Sequence, residues 1–156
     1  MRRHLILTSF FILSYFCLQA QSKWYFAPSV GQAIISDAGH FYTDLTIGHY
    51  LGEKPFRIDV WGSYIFASDN NVYSVSALFT GELNIGKWLS NASIGAGAQK
   101  NELRNNVDFI IPIRSNFGYC LTNHLILGVA ISNSLNISDY KKGSPFYCGF
   151  FIGLRL

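Results

Sequence analysis

Hydrophobic and polar side chains alternate along most of the chain with a period of two residues. That period is the one expected for a β-strand with an apolar and a polar face, whereas an amphipathic helix repeats about every 3.6 residues. The pattern predicts eight strands separated by short polar or glycine-containing stretches. The predicted strands cover residues 24–35, 41–51, 56–67, 72–83, 88–99, 107–119, 125–135 and 146–156.

The residue types indicate that both faces of these segments are enclosed. In the third segment, Phe56, Ile58 and Val60 alternate with Arg57 and Asp59, but the polar faces taken together hold few charges and many small, hydroxylic or glycine residues. Segments of roughly 11 residues can cross the hydrocarbon core as tilted strands, and eight is the smallest usual strand number for a membrane barrel. We therefore predict an all-β fold, an eight-stranded antiparallel up-and-down transmembrane β-barrel.

The composition agrees with this prediction. Charged residues make up 13% of the 156 residues, against about 25% in a typical soluble domain, and aromatic residues make up 16%. The mean hydropathy is +0.20, yet beyond the N-terminus no apolar run approaches the roughly 20 residues of a membrane-spanning helix. The formal net charge of +3 comes from scattered basic residues, so we expect no nucleic-acid partner.

The first twenty residues have the organisation of an export signal. Arg2 and Arg3 form a positive start, Leu5 to Leu18 is apolar, and Ala20 is the small residue expected before a cleavage site. The alternative is a membrane anchor, but the apolar stretch is short for one. We predict a cleaved signal peptide over 1–20 and an outer-membrane β-barrel over 21–156.

Several charged residues have the parity of the interior face. If Ala67 pairs with Val72 across the third hairpin, Arg57 lies opposite Glu82, which would give a favourable cross-strand pair. A buried charge needs such a partner, so we expect an interior polar network, although both residues could instead be solvated near the strand ends. Its other expected members are Asp44, Asp59, Arg114 and Arg155.

An even strand number after a signal peptide places both chain termini in the periplasm. Aromatic residues cluster at both predicted rims, as in membrane interfaces. The predicted periplasmic turns are Gly52–Pro55, Asn84–Lys87 and Leu121–His124, and the outer loops are Ser36–His40, Ser68–Asn71, Lys100–Asn106 and Asn136–Ser144.

The C-terminal run YCGFFIGLRL resembles the β-signal of outer-membrane barrels. The matching residues are Tyr147, Gly149, Ile152, Leu154 and Leu156, with Leu156 in place of the usual terminal Phe. With the eight-strand pattern, the chain resembles the small outer-membrane barrel domain proteins common in Bacteroidetes, similar in architecture to the OmpA and OmpX barrels. The resemblance implies an outer-membrane location, contact with membrane lipid and recognition of the C-terminal strand by the barrel-assembly machinery. We expect a monomer.

No residue set specifies a reaction. Ser132 and Asn133 resemble part of the His-x-Ser-Asn motif of lipid A deacylases, but Ala130 occupies the position of the basic His, and an unassisted Ser is a poor nucleophile. His40, His49 and His124 fall on separate parts of the barrel, so we expect no metal site and no cofactor. Cys120 and Cys148 fall near opposite ends, too far apart for a disulfide.

The sequence therefore favours a non-enzymatic barrel with a structural or surface-interaction role through short outer loops. Three alternatives remain: a lipid A-modifying enzyme of the deacylase type, a small passive pore, and a soluble lipocalin-like barrel. The inward aromatic residues disfavour the pore because they would fill a narrow interior. The apolar outward faces disfavour the soluble barrel.

Overall fold

The computed structural model describes residues 23–35, 38–52, 55–67, 71–102, 107–138 and 144–156. The predicted signal peptide lies outside these ranges. Within them, no helix is long and apolar enough to cross a membrane. The strands are β1 (Trp24–Ile35), β2 (Ala38–Tyr50), β3 (Phe56–Phe66), β4 (Val72–Ile85), β5 (Trp88–Asn101), β6 (Val107–Cys120), β7 (Leu125–Asn136) and β8 (Phe146–Arg155).

The strands form a closed antiparallel barrel in which each pairs with its neighbours in chain order. The barrel closes where β8 pairs with β1. At this seam, the Trp24 amide donates to the Leu156 carbonyl oxygen (2.9 Å) and the Leu156 amide donates to the Trp24 carbonyl oxygen (2.8 Å). The predicted eight-stranded up-and-down architecture is confirmed. Closure leaves no unpaired sheet edge.

Side chains alternate between the lumen and the outer wall as the sequence pattern predicts. On β4, Ser74 and Ser76 are 2% and 3% exposed, whereas Val75 between them is 60% exposed. The same alternation runs through all eight strands, with mainly apolar residues outside, and with polar, charged and small residues and two apolar clusters inside. This arrangement is the reverse of a soluble domain and is the pattern of a barrel with an apolar solvent around it.

Several predicted boundaries are wrong by a few residues. β2 begins at Ala38, so the predicted outer loop Ser36–His40 is shorter, and β5 continues to Asn101. β4 continues to Ile85, which leaves Gly86 and Lys87 as the turn to β5. Gly86 has φ of +60°, a conformation that favours glycine, and this explains why so tight a turn forms there.

The predicted register of the third hairpin is also wrong, by two residues. Val72 pairs with Ile65 instead of Ala67, and Arg57 consequently lies opposite Thr80 instead of Glu82. Ala67 belongs to the connection, where its amide donates to Asn71 Oδ1 (3.2 Å). A shift of two residues keeps every side chain on its face, so the alternation pattern could not detect the error.

The two ends of the barrel can be distinguished by what they carry. The terminal end carries Trp24, Leu156 and three connections, β2–β3, β4–β5 and β6–β7. The loop end carries the other four connections, β1–β2, β3–β4, β5–β6 and β7–β8.

Apolar side chains fill the lumen in two clusters. The terminal cluster contains Tyr25, Ala27, Tyr50, Leu89, Ile126, Ala130 and Phe151. The loop-side cluster contains Ala33, Tyr42, Trp61, Ile65, Val72, Leu78 and Tyr147.

Candidate functional site

Glu82 is the centre of a charged layer inside the terminal half of the barrel. Its Oε2 accepts hydrogen bonds from Arg57 Nη1 (2.9 Å) and the Tyr50 hydroxyl (2.9 Å). Its Oε1 accepts from Arg155 Nη2 (2.6 Å) and Asn84 Nδ2 (3.0 Å). One buried carboxylate therefore neutralises parts of two guanidinium groups, which is how a buried charge is retained in a low-dielectric interior.

Arg57 extends this layer toward the middle of the lumen. Its Nε donates to Asp59 Oδ1 (2.7 Å), and its guanidinium carbon lies 3.8 Å from the centre of the Tyr25 ring. The Thr80 hydroxyl donates to Asp59 Oδ2 (2.6 Å) and lies 2.7 Å from Ser93 Oγ. Arg57 is completely buried, so its charge is stabilised by two carboxylates and an aromatic face instead of by solvent.

A separate ion pair lies nearer the loop end. Arg114 Nη1 is 3.0 Å from Asp44 Oδ2, without the alignment of a hydrogen bond, and Arg114 Nε donates to Asn116 Oδ1 (3.1 Å). The guanidinium carbon also lies 5.7 Å from the Trp61 ring centre. Both charged partners are almost fully buried, so this pair too has little access to water.

Two of these ion pairs cross the lumen. Glu82 on β4 meets Arg155 on β8, and Asp44 on β2 meets Arg114 on β6. Strands four apart in an eight-stranded barrel lie on opposite walls, so each pair joins the two sides of the interior. The sequence pattern placed these residues on the inward face but did not identify these partners. Opposite charges that face inward on strands four apart would have indicated these two ion pairs.

The residues considered for catalysis do not form an active site. Ser132 is 4% exposed and faces the lumen, where Arg114 and Tyr147 occupy the adjacent positions on the neighbouring strands. Ala130, at the position of the deacylase base, is buried in the terminal cluster. Ser132 is thus an interior hydroxyl without an imidazole base on its own strand.

His49 and His124 contact different groups. The His49 ring packs edge-on against Trp24 (4.8 Å between ring centres) on the outer wall, and His124 Nδ1 is 2.9 Å from the Arg155 carbonyl oxygen at the terminal end. Cys120 and Cys148 are free thiols. Among the residues that the structure describes, no group of His, Cys, Asp or Glu could hold a metal ion.

The residues of the C-terminal pattern have clear packing positions. Tyr147 faces the lumen, with its ring 5.2 Å from Tyr42 and 5.6 Å from Trp61 between ring centres. Gly149 pairs with Gly31 across the β1–β8 seam. The other three residues of the pattern, Ile152, Leu154 and Leu156, belong to the outer wall. Recognition of this strand by assembly machinery remains a prediction.

An open cup of about 520 Å³ lies at the terminal end of the lumen. Lys87, His124 and Arg155 contribute basic groups to its wall, and Cys120 contributes a thiol. The Arg155 guanidinium is already paired with Glu82 at the base of the charged layer.

No protein-family model matches the sequence, and no curated protein matches it. Solved structures do match. The Neisserial surface protein NspA superposes with a TM-score of 0.70 at 11% identity, covering 86% of this chain and 98% of that one. The N-terminal β-barrel domain of Pseudomonas aeruginosa OprF matches with a TM-score of 0.61 at 8% identity, covering 86% and 98%. This chain has the fold of a small outer-membrane β-barrel.

The outer-membrane enzyme PagL shares this small outer-membrane barrel fold, with a TM-score of 0.57 at 12% identity and coverage of 85% and 99%. Identities this low show the fold alone. The fold therefore includes an enzyme as well as surface proteins, and function has to be argued from the side chains. The expected resemblance in architecture to small outer-membrane barrels is confirmed.

Proposed function

We propose that this protein is a closed, non-enzymatic barrel of the bacterial outer membrane, with a structural or surface-interaction role. The observation that carries the proposal is the filled lumen. Two apolar clusters and two cross-lumen ion pairs occupy the interior. A barrel of this size is filled by side chains instead of enclosing a channel. The apolar outer wall would hold it in the membrane.

The terminal end faces the periplasm in this proposal, and the loop end faces outward. The loop-end rim is held by polar contacts on exposed residues. Glu102, which follows β5, accepts hydrogen bonds from the Tyr64 hydroxyl on β3 (3.3 Å) and from Asn71 Nδ2 (2.9 Å). Asn71 lies just before β4, so these bonds connect three neighbouring parts of the rim. A braced rim of this kind would present the outer connections in a fixed arrangement, which suits surface interaction.

Conductance measurements test the filled lumen. The purified, folded protein in a planar lipid bilayer is expected to give no steady current, because buried side chains span the interior at two levels. A larger porin-type barrel, whose strand number leaves an aqueous channel, serves as the positive control for the recording. A steady, reproducible conductance would replace the closed-barrel proposal with the passive pore.

Two further measurements test location and enzymatic activity. After fractionation, the protein is expected in the outer membrane, with a gel mobility that changes on boiling. Recovery from the soluble periplasm without detergent would instead support a lipocalin-like barrel.

Lipid A from cells producing the protein is expected to keep its mass. Loss of an acyl chain, abolished by Ser132→Ala, would establish the deacylase activity that Ala130 argues against.

A further inference from the structure

The cup at the terminal end of the lumen receives basic groups from three separate parts of the barrel. Lys87 belongs to the β4–β5 turn, His124 lies in the β6–β7 connection, and Arg155 is the last residue of β8. The other polar side chains of the wall are Asn84, Cys120, Thr122 and Asn123. Within the described part of the chain, no carboxylate lines the cup. Its surface therefore favours an anion over a cation.

The buried negative charge beside the cup is already neutralised. Glu82, which pairs with Arg155, has a completely buried side chain, and both of its oxygens accept hydrogen bonds inside the charged layer. That layer is balanced, because two carboxylates face two guanidinium groups. Lys87 has no carboxylate partner among the described residues, and its ammonium lies 5.9 Å from the Tyr119 ring centre. The charge of Lys87 is thus in excess at the mouth of the cup.

A hydrogen bond fixes the tautomer of His124. Its Nδ1 lies 2.9 Å from the Arg155 carbonyl oxygen, which can only accept, so Nδ1 carries the hydrogen. Nε2, on the other edge of the neutral ring, is then an acceptor, and it becomes a donor only when the imidazole takes up a second proton. His124 can therefore donate to a bound anion only as the imidazolium ion.

The β6–β7 connection holds its polar groups in a defined arrangement. The Thr122 hydroxyl oxygen accepts from the amides of His124 (3.2 Å) and Leu125 (3.0 Å). These two bonds use both lone pairs of the oxygen, and the hydroxyl hydrogen remains to be donated. The Leu121 amide closes the connection by donating to the Leu125 carbonyl oxygen (2.9 Å). Donors that are held in this way lose little conformational freedom when a ligand binds.

We propose that the cup binds a soluble phosphate ester. A tetrahedral oxyanion has oxygen atoms on all sides, so it can accept from Lys87 on one turn and from His124 and Thr122 on another. A planar carboxylate presents its two oxygens in a single plane. The cup volume of about 520 Å³ falls within the roughly 300–1,000 Å³ of small-molecule sites, so the ligand extends beyond the phosphate group. The periplasmic location of this site rests on the proposed function, whereas the binding rests on the cup residues alone.

A lipid headgroup offers the same phosphate chemistry, but the barrel wall separates the cup from lipid. Trp88 and Tyr119 pack against each other on the outer wall at the terminal end (5.0 Å between ring centres). The cup is instead lined by Arg155, which faces the lumen, and by the turns around the lumen mouth. A ligand that enters from water reaches this site directly, which favours the soluble ester.

Calorimetry with the folded protein in neutral detergent tests the binding, with glycerol phosphate as the probe. Saturable binding at millimolar concentration is expected, with one site per chain. Lys87→Gln should weaken it roughly fivefold, the effect of one exposed ion pair. The matched control is Lys100→Gln, which removes the same charge near the loop end of β5 and should leave binding unchanged.

Sulfate isolates the contribution of His124, because sulfate keeps its charge between about pH 5.5 and pH 7.5 while histidine ordinarily changes charge in this range. The other charged or titratable groups around the cup are Lys87, Cys120 and Arg155, with Glu82 beside Arg155. Sulfate is expected to bind several-fold more tightly at the lower pH, because the imidazolium ion then donates to it. His124→Gln should remove this pH dependence.

Several outcomes would overturn the proposal. They are the absence of saturable binding, equal effects of Lys87→Gln and Lys100→Gln, and a pH dependence that survives His124→Gln. Equally tight binding of citrate would refute a phosphate-selective site. Enrichment of phosphatidylglycerol from mixed vesicles through Lys87, without binding of glycerol phosphate, would identify a lipid headgroup as the ligand instead.

Gel mobility and fractionation separate this proposal from the proposed function. All variants are expected to keep the mobility change on boiling and the outer-membrane location. If the parent chain fails those two measurements, the proposed membrane barrel is wrong. If it passes them but does not bind glycerol phosphate, the site in the cup alone is wrong.

Discussion

At the residue scale, the unusual feature is the density of buried charge inside a narrow lumen. Arg57, Asp59 and Glu82 are each no more than 6% exposed, and each has a partner of opposite charge. A soluble domain of this size rarely buries so many charges. Here the outer wall is the apolar surface, so the polar side chains in the middle of the strands avoid lipid by facing the lumen.

Removing the charge of Glu82 tests how strongly this layer depends on it. Glu82→Gln would leave two buried guanidinium groups short of a negative partner, and we expect the free energy of unfolding to fall by about 3–5 kcal/mol. Urea titration in detergent micelles, followed by tryptophan fluorescence, measures the change. Glu102→Gln is the control, because Glu102 is exposed at the loop-end rim and should have a small effect. Equal effects would refute the central role of Glu82.

At the element scale, the β1–β8 seam is where the barrel closes and where glycine is required. Gly31 and Gly149 lie opposite each other, both facing the lumen. A Cβ atom on Gly149 would overlap the Val30 carbonyl oxygen and the Tyr42 hydroxyl. Glycine at this position thus has a packing reason that is independent of any recognition by assembly machinery.

Substitution of Gly149 tests this requirement. Gly149→Ala is expected to hinder closure of the seam, because the clash involves backbone as well as side chain. The fraction of refolded protein with the heat-modifiable mobility should fall, and the remainder should unfold at lower urea concentration. Gly39→Ala on β2 is the matched control, since a Cβ there meets no atom within 4 Å. If the two variants refold equally well in detergent, the packing explanation is wrong.

The alternation of residues predicts the strands far better than their pairing. All eight strands were expected from a period of two, because each wall faces a different environment over its full length. The register of β3 and β4 was not predictable in the same way, since Arg57 faces the lumen whether it lies opposite Thr80 or Glu82. In a hairpin the turn type and the loop length fix the register, and the alternation pattern carries no information about either.

The polar network shows the same limit. Its members were predictable from inward parity, but the partners Asp44–Arg114 and Arg155–Glu82 depend on barrel closure. Closure brings Arg155 to Glu82, although the two residues are 73 positions apart in the chain. Contacts between opposite walls follow only once the strand number and the closed topology are both known.

At the scale of the whole molecule, the barrel combines a polar, filled interior with an apolar exterior bounded by aromatic side chains. At the terminal end, Trp88 packs against Phe117 and Tyr119 (5.1 and 5.0 Å between ring centres), and at the loop end Phe41 packs against Phe66 (5.5 Å). Aromatic residues at two depths are typical of membrane interfaces. The outer wall between them is the surface that would contact acyl chains.

A charge placed on the outer wall tests this view through its dependence on depth. Val60 and Val107 are almost equally exposed, at 53% and 52%, but Val60 lies near the middle of β3 and Val107 is the first residue of β6, at the loop end. In lipid bilayers, Val60→Arg should cost about 2–4 kcal/mol of unfolding free energy and Val107→Arg about 0–1 kcal/mol. Urea unfolding of protein folded into vesicles measures both. A soluble or peripheral barrel would show two small, equal effects, because water could hydrate arginine at either site, so the difference between the variants reports on the membrane itself.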